Sequence, residues 1–303
     1  MTFGRALDAA FIEKLQAEAR RDGWWADVLA DPTLIIALRG TYLNVYWRGQ
    51  SIFCVKSTSS GLNVTTHEKY LIDPALKSQV TLNDRDFDIS ALAEKGLIRR
   101  YEGPATIAKM KKAAELFSPL EKTGCHEIAV GSADFIDCEI AFPGWVSLGD
   151  GGKDTRDPRI DIAVLEPFAD QARLVFWEVK HFSNGDLRAK AGPAPVVRQM
   201  ATYKKYLSEN REVIEHSYTR MAKNFAAIHA MGWRRDLSPL LADVATGTIA
   251  LTLGAEPKVG LVVFGFDSAQ RDDDGWRGHL ARLKSEIADV RAAGEAKRLR
   301  LSA

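Results

Sequence analysis

At 303 residues, with 46% hydrophobic and 27% charged side chains, the chain has a globular profile and enough apolar mass for a buried core. The formal net charge of +1 excludes a global basic field, although a local basic groove is compatible with a neutral total. Its three cysteines match no zinc spacing and suit a reducing compartment, Met1 is followed by no secretory apolar core, and no run approaches the ~18 apolar residues of a bilayer span, so the expectation is a cytoplasmic protein with no membrane partner.

Residues 5–30 read as helical, because Leu7, Phe11, Leu15, Ala19 and Trp24-Trp25 outline one apolar face. Four short strands follow, at 34–38, 42–47, 51–56 and 62–66. Arg39-Gly40, Arg48-Gly49-Gln50 and a Ser-rich loop separate them, which predicts an antiparallel meander. Trp24, Trp25, Tyr42, Tyr46 and Trp47 could stack on bases, but in a β meander such residues more often pack the sheet. Residues 74–103 are more polar. A boundary at Tyr101-Glu102-Gly103-Pro104 divides the chain into a small antiparallel β-rich N-terminal module, 1–103, and a second domain, 104–303.

The second domain opens with a helix from Pro104. Ile107, Met110, Ala114, Phe117 and Leu120 form its stripe, and Pro119 is expected to kink it. A strand at 135–142 ends at Pro143-Gly144. The loop Gly149-Asp150-Gly151-Gly152-Lys153-Asp154 superficially resembles a phosphate loop but lacks its spacing. Two apolar strands, 159–165 and 174–180, flank a turn at 166–171. Helices at 195–207 and 213–231, a buried strand at 259–266 and a C-terminal amphipathic helix at 276–301 complete the chain. The order α-β-β-β-α-(α)-β-α predicts an α/β domain with a mixed central sheet and flanking helices.

Charges inside the two apolar strands are the chemical signal. Burying an unpaired charge is costly, yet Asp161 interrupts one strand and Glu178-Val179-Lys180 the other. Side chains alternate along a strand, so Glu178 and Lys180 share a face. If the strands form a hairpin, Asp161 and Glu178 are equidistant from the turn and come to lie opposite each other, with Cβ atoms roughly 5 Å apart. Two such carboxylates suit one hard cation.

The succession of a helix, three strands carrying Asp161 and then Glu178-Val179-Lys180, and a helix containing Gln199-Met200-Ala201-Thr202-Tyr203 resembles the PD-(D/E)XK nuclease superfamily, with its restriction-endonuclease-like fold and Q-x-x-x-Y element. The resemblance covers roughly 104–270. It departs at Ile160, where the motif has proline.

The resemblance implies a metal-dependent nuclease hydrolysing phosphodiester bonds, most naturally in DNA, in foreign-DNA defence, restriction or repair. Asp161, Glu178 and the Val179 carbonyl would hold Mg²⁺, with Mn²⁺ as a substitute. Lys180 would orient or deprotonate the attacking water. Glu121 would complete the metal shell, with Glu115, Glu127 and Glu139 as rivals, and Gln199 would orient a ligand or contact the scissile strand. Tyr203 either joins the site or packs the helix.

Lys153, Arg188, Lys190 and Lys204 are candidates for the phosphate backbone, as are Arg198 and Lys205, although surface cations are ordinary. His67-Glu68 and His126-Glu127 lack the second histidine of a zinc peptidase. The alternative reading is a non-cleaving nucleic-acid-binding or protein-interaction module on the same fold. The N-terminal module could contact a protein partner or a second copy of the chain.

Overall fold

The computed structural model describes residues 3–73, 82–83, 85–87, 96–142 and 159–301. The expected N-terminal helix is two helices, α1 (Ala9–Ala19) and α2 (Trp24–Ala30), interrupted around Asp22-Gly23. The Asp8 carboxylate accepts a hydrogen bond from the Phe11 N–H at 2.7 Å and so caps α1. The meander forms as predicted from β1 (Ile35–Leu38), β2 (Tyr42–Trp47), β3 (Gln50–Thr58) and β4 (Gly61–Thr65), paired in sequence order. Arg48 (φ 46°) and Gly49 (φ 75°) make the two-residue turn between β2 and β3, a left-handed pair whose twist suits a hairpin. Two short strands, β5 (Leu82–Asn83) and β6 (Asp86–Phe87), pair with each other.

The long helix expected from Pro104 is also two helices, α3 (Pro104–Glu115) and α4 (Leu120–Gly131). Pro119 breaks rather than kinks it: proline has no N–H to donate and disfavours helical backbone at Ser118. Glu121 therefore sits in the first turn of the second helix.

Strands β7 (Phe135–Ala141), β8 (Arg159–Phe168) and β9 (Gln171–His181) precede helices α5 (Pro195–Glu209), α6 (Arg211–Ala230) and α7 (Pro239–Thr246). Then come β10 (Leu251–Thr252), β11 (Lys258–Phe264), α8 (Ser268–Asp272), α9 (Asp274–Glu286) and β12 (Val290–Ala293). The predicted C-terminal helix thus ends at Glu286. Residues 290–293 instead extend the sheet edge, Leu261 facing Val290 through Phe264 facing Ala293 in parallel register. Helical propensity there yields to the unpaired edge of β11, whose backbone groups need partners.

These strands form a mixed sheet in the order β12-β11-β9-β8-β7, with β10 beside the start of β9. The β7–β8 and β8–β9 pairs are antiparallel, and β11 runs parallel to β9. One face presents Ile162, Val164, Val175, Trp177 and Val262 to Cys125, Ile128 and Ala129 of α4 and to Ile35 and Ala37 of β1. The other buries Leu165, Leu174, Phe176 and Leu261 in the cluster that contains Met200 and Leu207 of α5 and Met221 and Phe225 of α6. Both faces are covered, which accounts for the near-continuous apolar runs of β8 and β9. Each such side chain contributes roughly 1.5–3 kcal/mol on burial.

The two stretches on either side of residue 103 share one apolar cluster: Trp25, Val45, Ile107 and Met110 belong to it together with Ile140 and Phe176. A buried ionic network ties them further. Asp137 of β7, with no exposed surface, accepts from Arg39 Nη1 at 2.7 Å and from the Tyr218 hydroxyl at 3.0 Å, and Arg5 Nε lies 3.5 Å away.

Candidate active site

The β8–β9 ladder runs from Phe168 opposite Gln171 to Ile162 opposite Trp177 without a slip. One step further along that register, Asp161 falls opposite Glu178, as the hairpin symmetry predicts. There the strands stop exchanging backbone bonds. The Val179 N–H donates instead to Asp161 Oδ2 at 2.9 Å. In an extended strand the N–H and C=O of one residue point to the same side, so the Val179 carbonyl faces the Asp161 edge and not β11.

Asp161, Glu178 and Lys180 are all buried at this rim. Lys180 Nζ is 2.9 Å from Glu178 Oε1 and 3.7 Å from Asp186 Oδ2. The other Glu178 oxygen, Oε2, is buried with no hydrogen-bond partner. Burial, followed by the charge of Asp161, pushes the Glu178 carboxyl up to about 8. For Lys180, burial opposes the charged form, but Glu178, Glu121 and Asp161 outweigh it and hold the side chain as an ammonium.

Glu121 approaches from the first turn of α4. Its Oε2 accepts from the His181 N–H at 3.1 Å and from Asn184 Nδ2 at 2.9 Å, so it fastens the exit of β9 to the following loop. Gln199 donates from Nε2 to the Tyr203 hydroxyl at 2.6 Å, and that hydroxyl donates to the Arg159 carbonyl, also at 2.6 Å. Tyr203 is fully buried, so its body packs α5 on the sheet while its hydroxyl holds the first residue of β8.

Two residues absent from the expected set complete the rim. Lys122 Nζ lies 2.6 Å from Glu139 Oε1 and 3.2 Å from Asp161 Oδ1. Burial works against its charge, but Asp161 and Glu139 hold it protonated. Asp186, in the loop after β9, faces Lys180. Neither carries a sequence signal, since an adjacent Glu-Lys pair and a loop aspartate are ordinary surface features. Glu139 joins Asp161 through Lys122, while Glu121, ranked ahead of it, binds the β9 exit. Glu115 pairs with Arg48 at 3.3 Å, away from the rim acids.

Of the basic candidates, Arg188 donates to the Phe182 and Asn184 carbonyls at 2.7 and 3.2 Å and stacks over Phe182 and Trp276, so it braces the loop. Lys190 is exposed and Lys204 half-buried. Arg198 is exposed, and Lys205 lies 3.9 Å from Glu209. Lys153 and its glycine-rich loop lie outside the described residues. Trp25 is a core residue, and Trp47 packs edge-on to His126 at 4.9 Å with Lys111 over its ring.

Among the described residues no three His, Cys, Asp or Glu side chains converge into a complete metal cage, and no helix is long and apolar enough to cross a membrane. Two carboxylates with a free buried oxygen fit Mg²⁺, which keeps several waters and takes few protein ligands, better than a metal that needs four protein ligands. Comparison with protein-family models, with curated proteins and with solved structures gave no match.

Proposed function

We propose that this protein is a metal-dependent nuclease that hydrolyses phosphodiester bonds in DNA. The observation that carries the reading is the partnerless, buried Oε2 of Glu178 beside Asp161, with the Lys180 ammonium on the same face. A buried carboxylate oxygen without a partner is costly unless a cation or proton completes it. The order α4, β7–β8–β9 antiparallel, α5, then β11 parallel to β9 supports the likeness to the PD-(D/E)XK nucleases and their restriction-endonuclease-like core.

In this reading Asp161, Glu178 and the Val179 carbonyl hold the ion. A bound Mg²⁺ would polarise the scissile phosphate and make its coordinated water more acidic. The Val179 N–H fixes the rotamer of Asp161, and Glu121 fixes the strand exit that carries Lys180. In the metal-free protein the surrounding acids hold Lys180 as an ammonium, and its position beside Glu178 suits it to donate hydrogen bonds to the attacking water and to the charge growing on the phosphate. Gln199 and Tyr203 hold the start of β8, and with it Asp161.

One specific contact favours a second reading, a non-cleaving nucleic-acid-binding module: Lys122 already neutralises Asp161 and Glu139 within the chain. The deciding assay incubates the protein with single-stranded DNA, duplex DNA and RNA in Mg²⁺, Mn²⁺ or EDTA. Metal-dependent cleavage lost in Lys180→Ala is expected. Binding without cleavage under every metal would establish the second reading instead.

A further inference from the structure

We propose that the Lys122 ammonium is a built-in second cation, seated between Asp161 and Glu139 so that the centre takes one divalent ion and not two. The inference rests on the metal-centre reading above and concerns how many ions that centre can hold.

Strand register makes the position necessary. Cys138 faces Ile162 and Ile140 faces Ile160 across β7 and β8, which leaves Glu139 facing Asp161. Two carboxylates directly opposite each other on neighbouring strands repel. Both are largely withdrawn from water, with side chains only 11% and 9% exposed, so solvent screens the repulsion poorly. Glu139 also adopts φ 52°, a left-handed conformation that is unfavourable for a residue with a Cβ inside a strand. Strain and repulsion persist together only if something between the carboxylates offsets them.

In dinuclear phosphodiesterases a second metal ion fills such a position. Here the ammonium of Lys122 does so, at 2.6 Å from Glu139 and 3.2 Å from Asp161. Its stem is held in place by the β2–β3 turn: a Cβ on Gly49 would come within 2.7 Å of Lys122 Cβ, so only glycine lets the turn approach this closely. The N-terminal meander thereby acquires a part in the site, as the wall that aims Lys122 between the acids. Arg159, more than half exposed and 3.9 Å from Glu139, is too distant and too solvated to substitute.

The test is Mn²⁺ stoichiometry in the full-length, EDTA-stripped protein, measured by calorimetric titration and by electron paramagnetic resonance. Wild type should bind one Mn²⁺ per chain with an uncoupled spectrum. Lys122→Met should bind two, with spin coupling between them, and Lys122→Arg should stay at one. Adding Glu139→Gln to Lys122→Met should return the count to one. Two ions in wild type, or one in a folded Lys122→Met, would overturn the proposal and leave the nuclease reading standing. No Mn²⁺ bound by wild type would remove the metal-centre reading and this inference with it. Lys122→Gln, which removes the charge but keeps hydrogen-bond donors to both acids, serves if the methionine variant does not fold: it too should bind two ions, and a count of one would overturn the proposal.

Discussion

Lys180 Nζ sits 2.9 Å from one oxygen of Glu178, while the other oxygen of that carboxylate is buried and makes no hydrogen bond, although the Tyr203 hydroxyl neighbours the carboxylate. The pair is therefore half-satisfied, and the two residues stand two positions apart on one strand, on the face that the alternation of β9 assigns to both. This imbalance sets the expected behaviour of the candidate centre.

Glu178→Ala, Asp161→Ala and Lys180→Ala are each expected to lower metal-dependent DNA cleavage by about 10²–10⁴-fold, the range for removing an oriented electrostatic or acid–base group. Far-UV circular dichroism of each variant should match wild type. Wild-type cleavage rates in all three purified proteins would refute the site.

Without metal, the Glu178 carboxyl is raised to about 8, against an ordinary value of 4.5. A raised carboxyl binds its proton more tightly in the folded state, so its stabilising contribution is complete below about pH 4.5 and is lost as the pH climbs through 8. In EDTA, thermal stability should fall between pH 5 and 8, by an amount on the order of a few kcal/mol. Glu178→Gln should flatten that slope. Adding Mg²⁺ or Mn²⁺ at pH 8 should raise the melting temperature of wild type and not of Glu178→Gln. Parallel pH profiles for the two proteins in EDTA would contradict the assignment.

His126 of α4 behaves in the opposite sense. Its ring is buried against Trp47, and burial lowers its pKa from 6.5 to about 4. The folded state therefore prefers the neutral ring. Its contribution is present above pH 6.5 and is lost as the pH falls from there through 4, to a total on the order of 3 kcal/mol. Urea denaturation at pH 7 and pH 4.5 checks this: His126→Phe should reduce the acid loss, and an unchanged difference would rule His126 out as its source.

Asp137→Ala should destabilise the protein by about 3–5 kcal/mol, because Arg39 and Arg5 would be left buried without their carboxylate. Asp137→Asn keeps the hydrogen-bond geometry but not the charge, and should be intermediate. Chemical denaturation gives both values, and a loss under 1 kcal/mol for the alanine variant would show that the network does not join the N-terminal sheet to the central one.

Gly260→Ala should cost about 1–3 kcal/mol through overpacking, since its Cβ would lie 2.4 Å from the Trp177 ring in the middle of the sheet. Gly278→Ala, on α9 with open space around it, serves as the contrast and should be neutral or stabilising. Equal melting temperatures for the two variants would count against this packing account.

The alternation of apolar and charged residues in 159–180 determined the hairpin, its register and the shared face of Glu178 and Lys180, because a two-residue period and a central turn admit one pairing that buries both strands. The meander of β1–β4 was equally legible, since local turn chemistry sets its connections. Local rules reached only so far, however. Periodicity does not show that Pro119 ends a helix outright, nor that 290–293 leaves its helical pattern to pair with β11; an unsatisfied strand edge distant in sequence decides that. Lys122 was decided entirely by tertiary structure. Its ammonium meets Glu139 and Asp161 only after α4 packs on the sheet and Gly49 closes from the N-terminal turn, and the cost of burying like charges becomes visible only when folding brings them face to face.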